Sequence, residues 1–182
     1  MQRVMILGEP GSGKSTLATA LGAKQKLPVV HLDRIFWQPG WQEPDPATFK
    51  AQHDRCASEE RWIIDGIYWK TIDFRAQRAD TIIWLDLPLW LRLYRVLRRT
   101  LITLGKSRPD LAPGCPEKFD FGFYHYILIG HQKRNQRISS LLEKFEGTKQ
   151  VIVLRSRREV QQFLEGLQER PVGGGDLEKS GP

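Results

Sequence analysis

The stretch Gly8-Glu9-Pro10-Gly11-Ser12-Gly13-Lys14-Ser15 fills the pattern G-x-x-x-x-G-K-[ST] at every fixed position. Glycines in this pattern let the backbone turn tightly and aim its N–H groups at phosphate oxygens. The lysine reaches the β- and γ-phosphates, and the final hydroxyl binds Mg²⁺. The stretch therefore predicts a loop that holds a nucleoside triphosphate, hereafter the phosphate loop.

The residues on either side of the loop support this prediction. Residues 4–7 form a short apolar run, as expected of a parallel strand that is buried on both faces. Residues 12–23 then predict a helix whose positive end faces the bound anion. A plain Gly-rich turn between strand and helix would not require the Lys-Ser pair. The predicted nucleotide-binding residues here are Gly8, Pro10, Gly11, Ser12, Gly13, Lys14, Ser15 and Thr16.

Composition favours one soluble domain. The chain has 182 residues, a formal net charge of +7 and only two cysteines, so no disulfide framework is expected and a reducing cytoplasm fits. No signal peptide or membrane span is expected, because the apolar runs are short. We expect one domain over residues 1–170, with a mobile lid at about 99–137, and a disordered Gly-rich tail over 171–182.

Strand-like and helix-like segments alternate along the chain. After the first strand, further strands are predicted at 28–32, 62–66, 81–86 and 150–154. The main helices are predicted to begin at Pro46, Pro88, about Gln132 and after Ser156. This alternation predicts an α/β fold with five parallel strands, helices on both faces and a small helical lid.

Two carboxylates follow predicted strands. Asp65 ends the third strand, where it can hold Mg²⁺ through water beside Ser15. Asp33 ends the second strand, where it either meets the hydroxyl of an acceptor or caps the next turn. Lys14 and Asp33 are therefore predicted to act in catalysis, and Ser15 and Asp65 to bind metal.

The helix after Pro88 carries closely spaced arginines. Arg92, Arg95 and Arg99 share one face, opposite a stripe of leucines spaced by four residues at 89, 93, 97 and 101. Guanidinium groups match phosphate oxygens bidentately, so this face predicts contact with phosphate, and Arg95 and Arg99 are predicted to act in catalysis with Lys14 and Asp33. Arg92 and Arg98 are weaker candidates for this contact, and Arg108, Arg134 and Arg137 are candidate ligands from the lid.

The remaining sequence narrows the class of protein. The Asn-Lys-x-Asp motif that reads guanine is absent, and the chain is short for a motor or transporter ATPase. A strand-end Asp, an arginine helix and a mobile basic cover indicate a kinase that uses ATP and Mg²⁺. The alternative is a nucleotide-regulated DNA-binding protein whose arginine helix contacts the phosphate backbone, although no nucleic-acid motif supports it.

The motif order resembles that of the adenylate-kinase-type nucleoside monophosphate kinases. Asp65-Gly66 matches the Asp-Gly after their third strand, and Asp86-Leu87-Pro88 matches their Asp-x-Pro after the fourth. Arg95 and Arg99 match their lid-helix arginines, which touch ATP. The resemblance covers about residues 1–168 and implies that Arg155 and Arg157 lie beside adenine.

Several blocks more narrowly resemble bacterial proteins labelled DNA topology modulation proteins, a name that refers to a DNA phenotype. These blocks are residues 31–37, 62–66, 108–110, 114–118 and 154–157. The chain departs from adenylate kinases after Gly66, where it has Ile-Tyr-Trp-Lys in place of Phe-Pro-Arg. Either Lys70, Arg75 or Arg78 replaces the arginine that binds the acceptor phosphate, or the acceptor carries no phosphate. A nucleotide, a nucleoside and another small alcohol all stay open as acceptors.

A loop rich in aromatic residues follows the second strand. Phe36, Trp37 and Trp41 either stack on an acceptor ring or pack over the core.

Overall fold

The structure, a computed structural model, describes residues 1–106 and 111–167. Its five strands form one sheet in the order β2-β3-β1-β4-β5, and every neighbouring pair is parallel. The strands are Arg3–Gly8 (β1), Val29–His31 (β2), Trp62–Asp65 (β3), Thr81–Leu85 (β4) and Gln150–Leu154 (β5). The predicted fold class is confirmed.

Helices cover both faces of the sheet. They are Lys14–Gln25 (α1), Leu32–Phe36 (α2), Pro46–Ser58 (α3), Ile72–Arg78 (α4), Leu89–Thr103 (α5), Phe121–Leu128 (α6), His131–Glu143 (α7) and Arg157–Gly166 (α8). Helices α1 and α8 pack on one face, around the β1 side chains Val4 and Ile6. Helices α3, α4 and α7 pack on the other face, around Met5 and Leu7. Within the described residues, no helix is both long enough and apolar enough to cross a membrane.

Local capping explains where two of these helices begin. The Asp45 side chain accepts a hydrogen bond from the Thr48 N–H at 2.9 Å, one residue before Pro46. Ser156 and Glu159 form a reciprocal capping box at the start of α8, where the Glu159 N–H donates to the Ser156 hydroxyl at 3.1 Å. Both starts agree with the sequence prediction.

The central position of β1 gathers the functional residues. Strand β1 lies between β3 and β4, so Ile6 is in register with Asp65, and Gly8 with Leu85. Strand β2 adds His31, which is also in register with Asp65. Because all carboxyl ends of a parallel sheet meet at one edge, the phosphate loop and Asp65 lie there together. Asp33 follows β2 by two residues and lies in the first turn of α2, not at the end of the strand as the sequence predicted, because the chain turns into a helix directly after His31.

The described part of the predicted lid contacts the loop after β2 and α2. The Gly40 N–H donates to the Gly114 carbonyl at 2.8 Å, and the Trp41 indole N–H donates to the Pro116 carbonyl at 2.9 Å. The Cys115 thiol is buried in the same contact. Residues 107–110 of the predicted lid and the predicted tail over 171–182 lie outside the described residues.

Helix α5 turns its arginine face inward and its leucine stripe outward. Arg92, Val96 and Thr100 are buried, whereas Leu97 is 41% exposed and Leu101 is 65% exposed. The inward face lies directly on the phosphate loop. The fully buried positions of α5 are therefore one arginine, one valine and one threonine, while Leu89 and Leu93 of the leucine stripe are half-buried.

We predict that truncating Val96 costs more stability than truncating Leu101. Val96→Ala removes buried apolar contact and lowers the free energy of unfolding by about 1 to 2 kcal/mol, after its gain in helix propensity. Leu101→Ala, the matched control on the exposed face, changes it by less than about 0.5 kcal/mol. Urea denaturation monitored by circular dichroism measures both values. The reverse order would contradict this orientation of α5.

Candidate active site

The phosphate loop has a backbone that only glycine adopts without strain at its turning points. Gly11 and Gly13 have φ angles of +78° and +94°. A Cβ atom on Gly11 would lie 2.4 Å from the carbonyl oxygen of Arg92 in α5. A Cβ atom on Gly8 would lie 2.6 Å from the Ser12 hydroxyl. These glycines therefore allow both the curl of the loop and the close approach of α5.

The first turn of α1 offers free donors to an anion. The helix begins at Lys14, and Gly13 before it provides no side-chain cap. No acidic residue occupies the first turn, which contains Ser15 and Thr16. Backbone N–H groups and the positive end of the helix dipole are thus available for phosphate oxygens. Pro10, within the loop, has no N–H to contribute.

The Lys14 ammonium lies among several charged groups. Its Nζ donates to the Glu9 carbonyl at 3.4 Å. Burial lowers the pKa of Lys14 from its ordinary value, while the negative charges of Asp33, Asp65 and Glu9 oppose that shift. The predicted catalytic lysine is therefore close enough to both predicted carboxylates to interact with them electrostatically.

Each of the two carboxylates has a side-chain partner that fixes its direction. Asp65 is almost fully buried, and its Oδ1 lies 2.9 Å from Nδ1 of His31. Asp33, in the first turn of α2, accepts a hydrogen bond from the Tyr68 hydroxyl at 2.7 Å. Burial and the adjacent Asp33 raise the pKa of Tyr68, which therefore stays a donor.

The sequence prediction did not include His31 or Tyr68 among the site residues. A signal was present for His31, since it is the one polar residue in the apolar run of residues 28–32. Tyr68 had no comparable signal, because its contact with Asp33 depends on how the chain turns after Gly66.

Arg95 and Arg157 meet beside the phosphate loop. Nη1 of Arg95 donates to the Ser12 carbonyl at 3.1 Å. Burial lowers the pKa of Arg95, and the positive charge of Arg157 lowers it further. Both arginines line a cavity of about 600 Å³, here called the nucleotide cavity. Its lining residues are Leu91, Tyr94, Arg95, Arg98, Arg99, Ile102, Thr103 and Arg157.

Arg99 is the third predicted arginine that reaches this cavity. Its Nη2 forms an ion pair with Oε1 of Glu117 at 3.2 Å. The positive charge of Arg99 also contributes to the lowered pKa of Lys14. Arg99 therefore connects the described part of the lid with the phosphate loop.

Arg155 lies apart from the nucleotide cavity. Its Nε is 3.8 Å from Oδ2 of Asp86, and the two residues line a second cavity of about 730 Å³. The structure thus brings Arg157, but not Arg155, to Arg95. Asp86 does not cap α5, since its Oδ1 instead accepts a hydrogen bond from Asn135 at 3.0 Å.

The comparisons with known proteins concern the fold. No family model and no curated protein matches the chain. Among solved structures, a shikimate kinase from Acinetobacter baumannii in complex with shikimate is 14% identical, with a TM-score of 0.54 and coverage of 91% of this chain and 90% of that one. A shikimate kinase from Bacteroides thetaiotaomicron is 16% identical, with a TM-score of 0.52 and coverage of 90% and 94%. The chain has the fold of a phosphate-loop kinase.

A third match agrees with this fold. A gluconokinase from Sinorhizobium meliloti 1021 is 17% identical, with a TM-score of 0.50 and coverage of 90% of this chain and 91% of that one. At such identities, the likeness of this chain to phosphate-loop kinases is a likeness of architecture.

Two of the weaker arginine candidates have structural partners. Nε of Arg134 donates to Oε2 of the buried Glu9 at 2.7 Å. The Arg137 guanidinium lies over the Trp69 ring, 4.0 Å from its centroid. Arg98 lines the nucleotide cavity, and Arg108 lies outside the described residues.

The aromatic loop packs on protein. Phe36 contacts the rings of Trp37 and Phe49 edge to face, with centroids 5.0 Å apart in each pair. Trp37 and Trp41 cover the buried lid cluster around Leu111. Of the two alternatives from the sequence, stacking on an acceptor ring and packing on protein, these aromatic side chains show the packing on protein.

The oxygen ligands that the protein offers are too few to bind Mg²⁺ alone and suit an ion that is bound together with a nucleotide. Ser15 and Asp65 offer a hydroxyl and a carboxylate, which are the hard oxygen ligands that Mg²⁺ prefers. Among the described residues, no group of three or more His, Cys, Asp or Glu side chains forms a metal site. These residues fit Mg²⁺ that keeps waters and shares phosphate oxygens.

We predict that Gly11→Ala destabilises the protein more than Gly147→Ala. Both glycines have nearly the same positive φ, +78° and +79°, but only the Gly11 Cβ would meet backbone within 4 Å. Gly147→Ala adds backbone strain of about 1 kcal/mol, whereas Gly11→Ala adds the collision with α5 and costs about 2 to 4 kcal/mol in total. Thermal and urea unfolding measure the difference. Equal losses would contradict the close contact.

Proposed function

We propose that the chain is an ATP-dependent phosphotransferase that moves the γ-phosphoryl group to a small acceptor. The observation that carries this proposal is the position of Lys14. Its ammonium lies at the phosphate loop and is close enough to Asp33 and Asp65 to feel both charges. The Lys14 ammonium, which would bind phosphate, thus lies near the Asp65 carboxylate, which suits a metal ion, and near the Asp33 carboxylate, which suits an acceptor hydroxyl. The shared fold of the solved kinases supports the same activity.

The donor half of the site would use the loop and the arginines. Backbone N–H groups of residues 11–15 bind phosphate oxygens, and Lys14 neutralises charge on the transferring group. Arg95 and Arg157 flank the nucleotide base in the nucleotide cavity, and Arg99 approaches from the lid. Mg²⁺, held by Ser15 and through water by Asp65, would supply further charge neutralisation at the phosphates.

The acceptor half would use Asp33. The carboxylate orients an acceptor hydroxyl or accepts its proton, while the hydrogen bond from Tyr68 holds it in place. The His31–Asp65 pair likewise fixes the carboxylate on the metal side. Nearly all of the catalysis then comes from positioning and electrostatics.

The acceptor that we propose is a small alcohol that carries no phosphate near Gly66. Arg75 is fully buried, and its Nη2 donates to the Gly66 carbonyl at 2.8 Å. Arg78 donates to the carbonyls of Ala57 and Ser58 at 2.6 and 2.7 Å. Both of these candidate replacements for the acceptor arginine therefore hold protein backbone, Arg78 through two nitrogens and Arg75 through one, while Nε and Nη1 of Arg75 have no hydrogen-bond partner among the described residues.

The names of the structural neighbours support an alcohol as acceptor. Those proteins are named as kinases of shikimate and gluconate, both of which are hydroxylated small molecules. The adenylate-kinase relationship and the likeness to topology modulation proteins stay predictions from sequence. The DNA-binding alternative likewise stays a prediction from sequence, and the three arginines on which it depends, Arg92, Arg95 and Arg99, each contact protein groups.

We predict that Lys14→Met abolishes ATP consumption without unfolding the protein. In the folded state, burial lowers the pKa of Lys14, so the unfolded chain binds the proton more tightly. Wild-type stability then rises with pH between the folded and unfolded pKa values. Removing this partly buried charge raises the free energy of unfolding at neutral pH, and the gain shrinks toward alkaline pH.

Lys50→Met on the exposed surface of α3 is the matched control. A screen of ATP consumption with Mg²⁺ across nucleotides, nucleosides and hydroxylated metabolites supplies the activity. Normal turnover by Lys14→Met, or only slow hydrolysis by the wild type with every acceptor, would refute the kinase proposal.

We predict that Asp33→Asn separates phosphoryl transfer from nucleotide binding. The amide keeps the shape of the side chain but cannot accept the acceptor proton, so kcat falls by about 10² to 10⁴. The Kd for ATP, measured by isothermal titration calorimetry, stays within about twofold because Asp33 lies outside the nucleotide cavity. A Kd that weakens as kcat falls would assign Asp33 to the donor half.

A further inference from the structure

The second cavity belongs to a different part of α5. It is bounded by the first turn of α5, the beginning of α7 and the residues that follow β4 and β5. The cavity measures about 730 Å³ and, among the described residues, shares no lining residue with the nucleotide cavity. Its lining residues are Asp86, Leu87, Pro88, Leu89, Arg92, His131, Gln132, Asn135, Gln136 and Arg155. None of them has a role in the proposed transfer.

A buried guanidinium in the wall of this cavity has unused donor capacity. Arg92 is only 2% exposed, and its Nε donates to the Leu87 carbonyl at 3.0 Å. Its Nη1 lies 3.7 Å from Oε2 of Glu9 and has no hydrogen-bond partner among the described residues. The same Glu9 oxygen accepts a shorter hydrogen bond, at 2.7 Å, from Arg134. One carboxylate oxygen is therefore shared by two guanidinium groups, and a buried donor stays unsatisfied.

Two helices also direct their first turns to the cavity wall. Helix α5 begins after Pro88 and α7 begins after Gly130, and neither has a side-chain cap from the described residues. Gln132 and Asn135, in the first two turns of α7, add amide groups. Free N–H groups at the start of a helix, next to a guanidinium, form a favourable environment for an anion.

The balance of charge in the lining is positive. The guanidinium groups of Arg92 and Arg155 face the single carboxylate of Asp86, which Asn135 already engages through a hydrogen bond. Arg155 keeps 67% of its side chain exposed and lies 3.8 Å from Asp86, so it can move to meet a ligand. The volume falls in the range of sites for small molecules, about 300 to 1,000 Å³, and exceeds what a free phosphate ion fills.

We propose that this cavity, here called the α5–α7 cavity, binds the phosphate group of a small phosphorylated metabolite. Arg155 and the first turn of α7 bind the phosphate oxygens, and the buried guanidinium of Arg92 contributes positive charge from the cavity wall. The site is independent of the proposed transfer reaction. Because Arg92 also pairs with Glu9, one ion pair joins the wall of this cavity to the phosphate loop.

The test measures binding of inorganic phosphate to full-length Lys14→Met protein by two-dimensional NMR. The Lys14→Met substitution weakens anion binding at the phosphate loop, which would otherwise compete for phosphate. Because the test measures binding and not turnover, its result does not depend on whether the protein uses ATP. We expect saturable shifts of the side-chain amides of Gln132 and Asn135. Adding Arg155→Met weakens the Kd at least tenfold, which corresponds to a loss of about 1.4 kcal/mol.

Arg157→Met, in the nucleotide cavity, is the matched control and leaves this Kd unchanged. Asn135→Leu serves as a second disruptive variant, with circular dichroism to establish that each protein is folded. Shifts confined to the phosphate loop would overturn the proposal. So would equal affinity for phosphate in the Arg155→Met protein, or equal shifts from acetate, which would indicate unspecific attraction of anions.

Discussion

The contact between the phosphate loop and α5 constrains much of this molecule. The Arg92 carbonyl oxygen occupies the space that a side chain on residue 11 would need, so α5 can lie on the loop only because that residue is glycine. The Arg95 guanidinium then reaches the Ser12 carbonyl and closes one side of the nucleotide cavity. The loop that would bind phosphate and the helix that would flank the base are thus one packed unit. Their relative position is set before any ligand arrives, which lowers the entropic cost of binding.

Buried charge at the carboxyl edge of the sheet is balanced across several elements. Lys14 is desolvated, and the carboxylates of Asp33 in α2 and Asp65 at the end of β3 offset part of that cost. Arg75 lies close enough to Asp65 to feel its charge, although burial lowers the pKa of Arg75 to about 10. A hydrophobic replacement of such groups often stabilises a protein. Their presence together at one edge is therefore better explained by binding and chemistry than by stability.

The sequence predicted the features that depend on short-range pattern. The apolar run before Gly8, the Asp45 cap and the Ser156 box each determine local structure, and all three agree with the structure. The short helices α2, α4 and α6 were not predicted, because five to eight residues carry little periodic signal. The separation of Arg155 from Arg157 was also not predictable. Arg155 and Arg157 are two residues apart at the start of α8, yet their side chains line different cavities. Which cavity each side chain lines depends on the packing of α5 and α7.

The inward arginines of α5 follow from one carboxylate that sequence pattern alone does not mark. Glu9 occupies a variable position of the phosphate-loop motif, yet its side chain is almost fully buried. A buried carboxylate requires cationic partners, and Arg92 from α5 and Arg134 from α7 provide them. Arg134 makes the shorter contact with Glu9, at 2.7 Å, and Arg92 at 3.7 Å adds charge compensation, which favours the rotation of α5 in which Arg92 faces the loop and Leu97 and Leu101 face solvent. Hydrophobic periodicity would favour the opposite rotation, which would bury two leucines but remove one of the two cations that compensate Glu9.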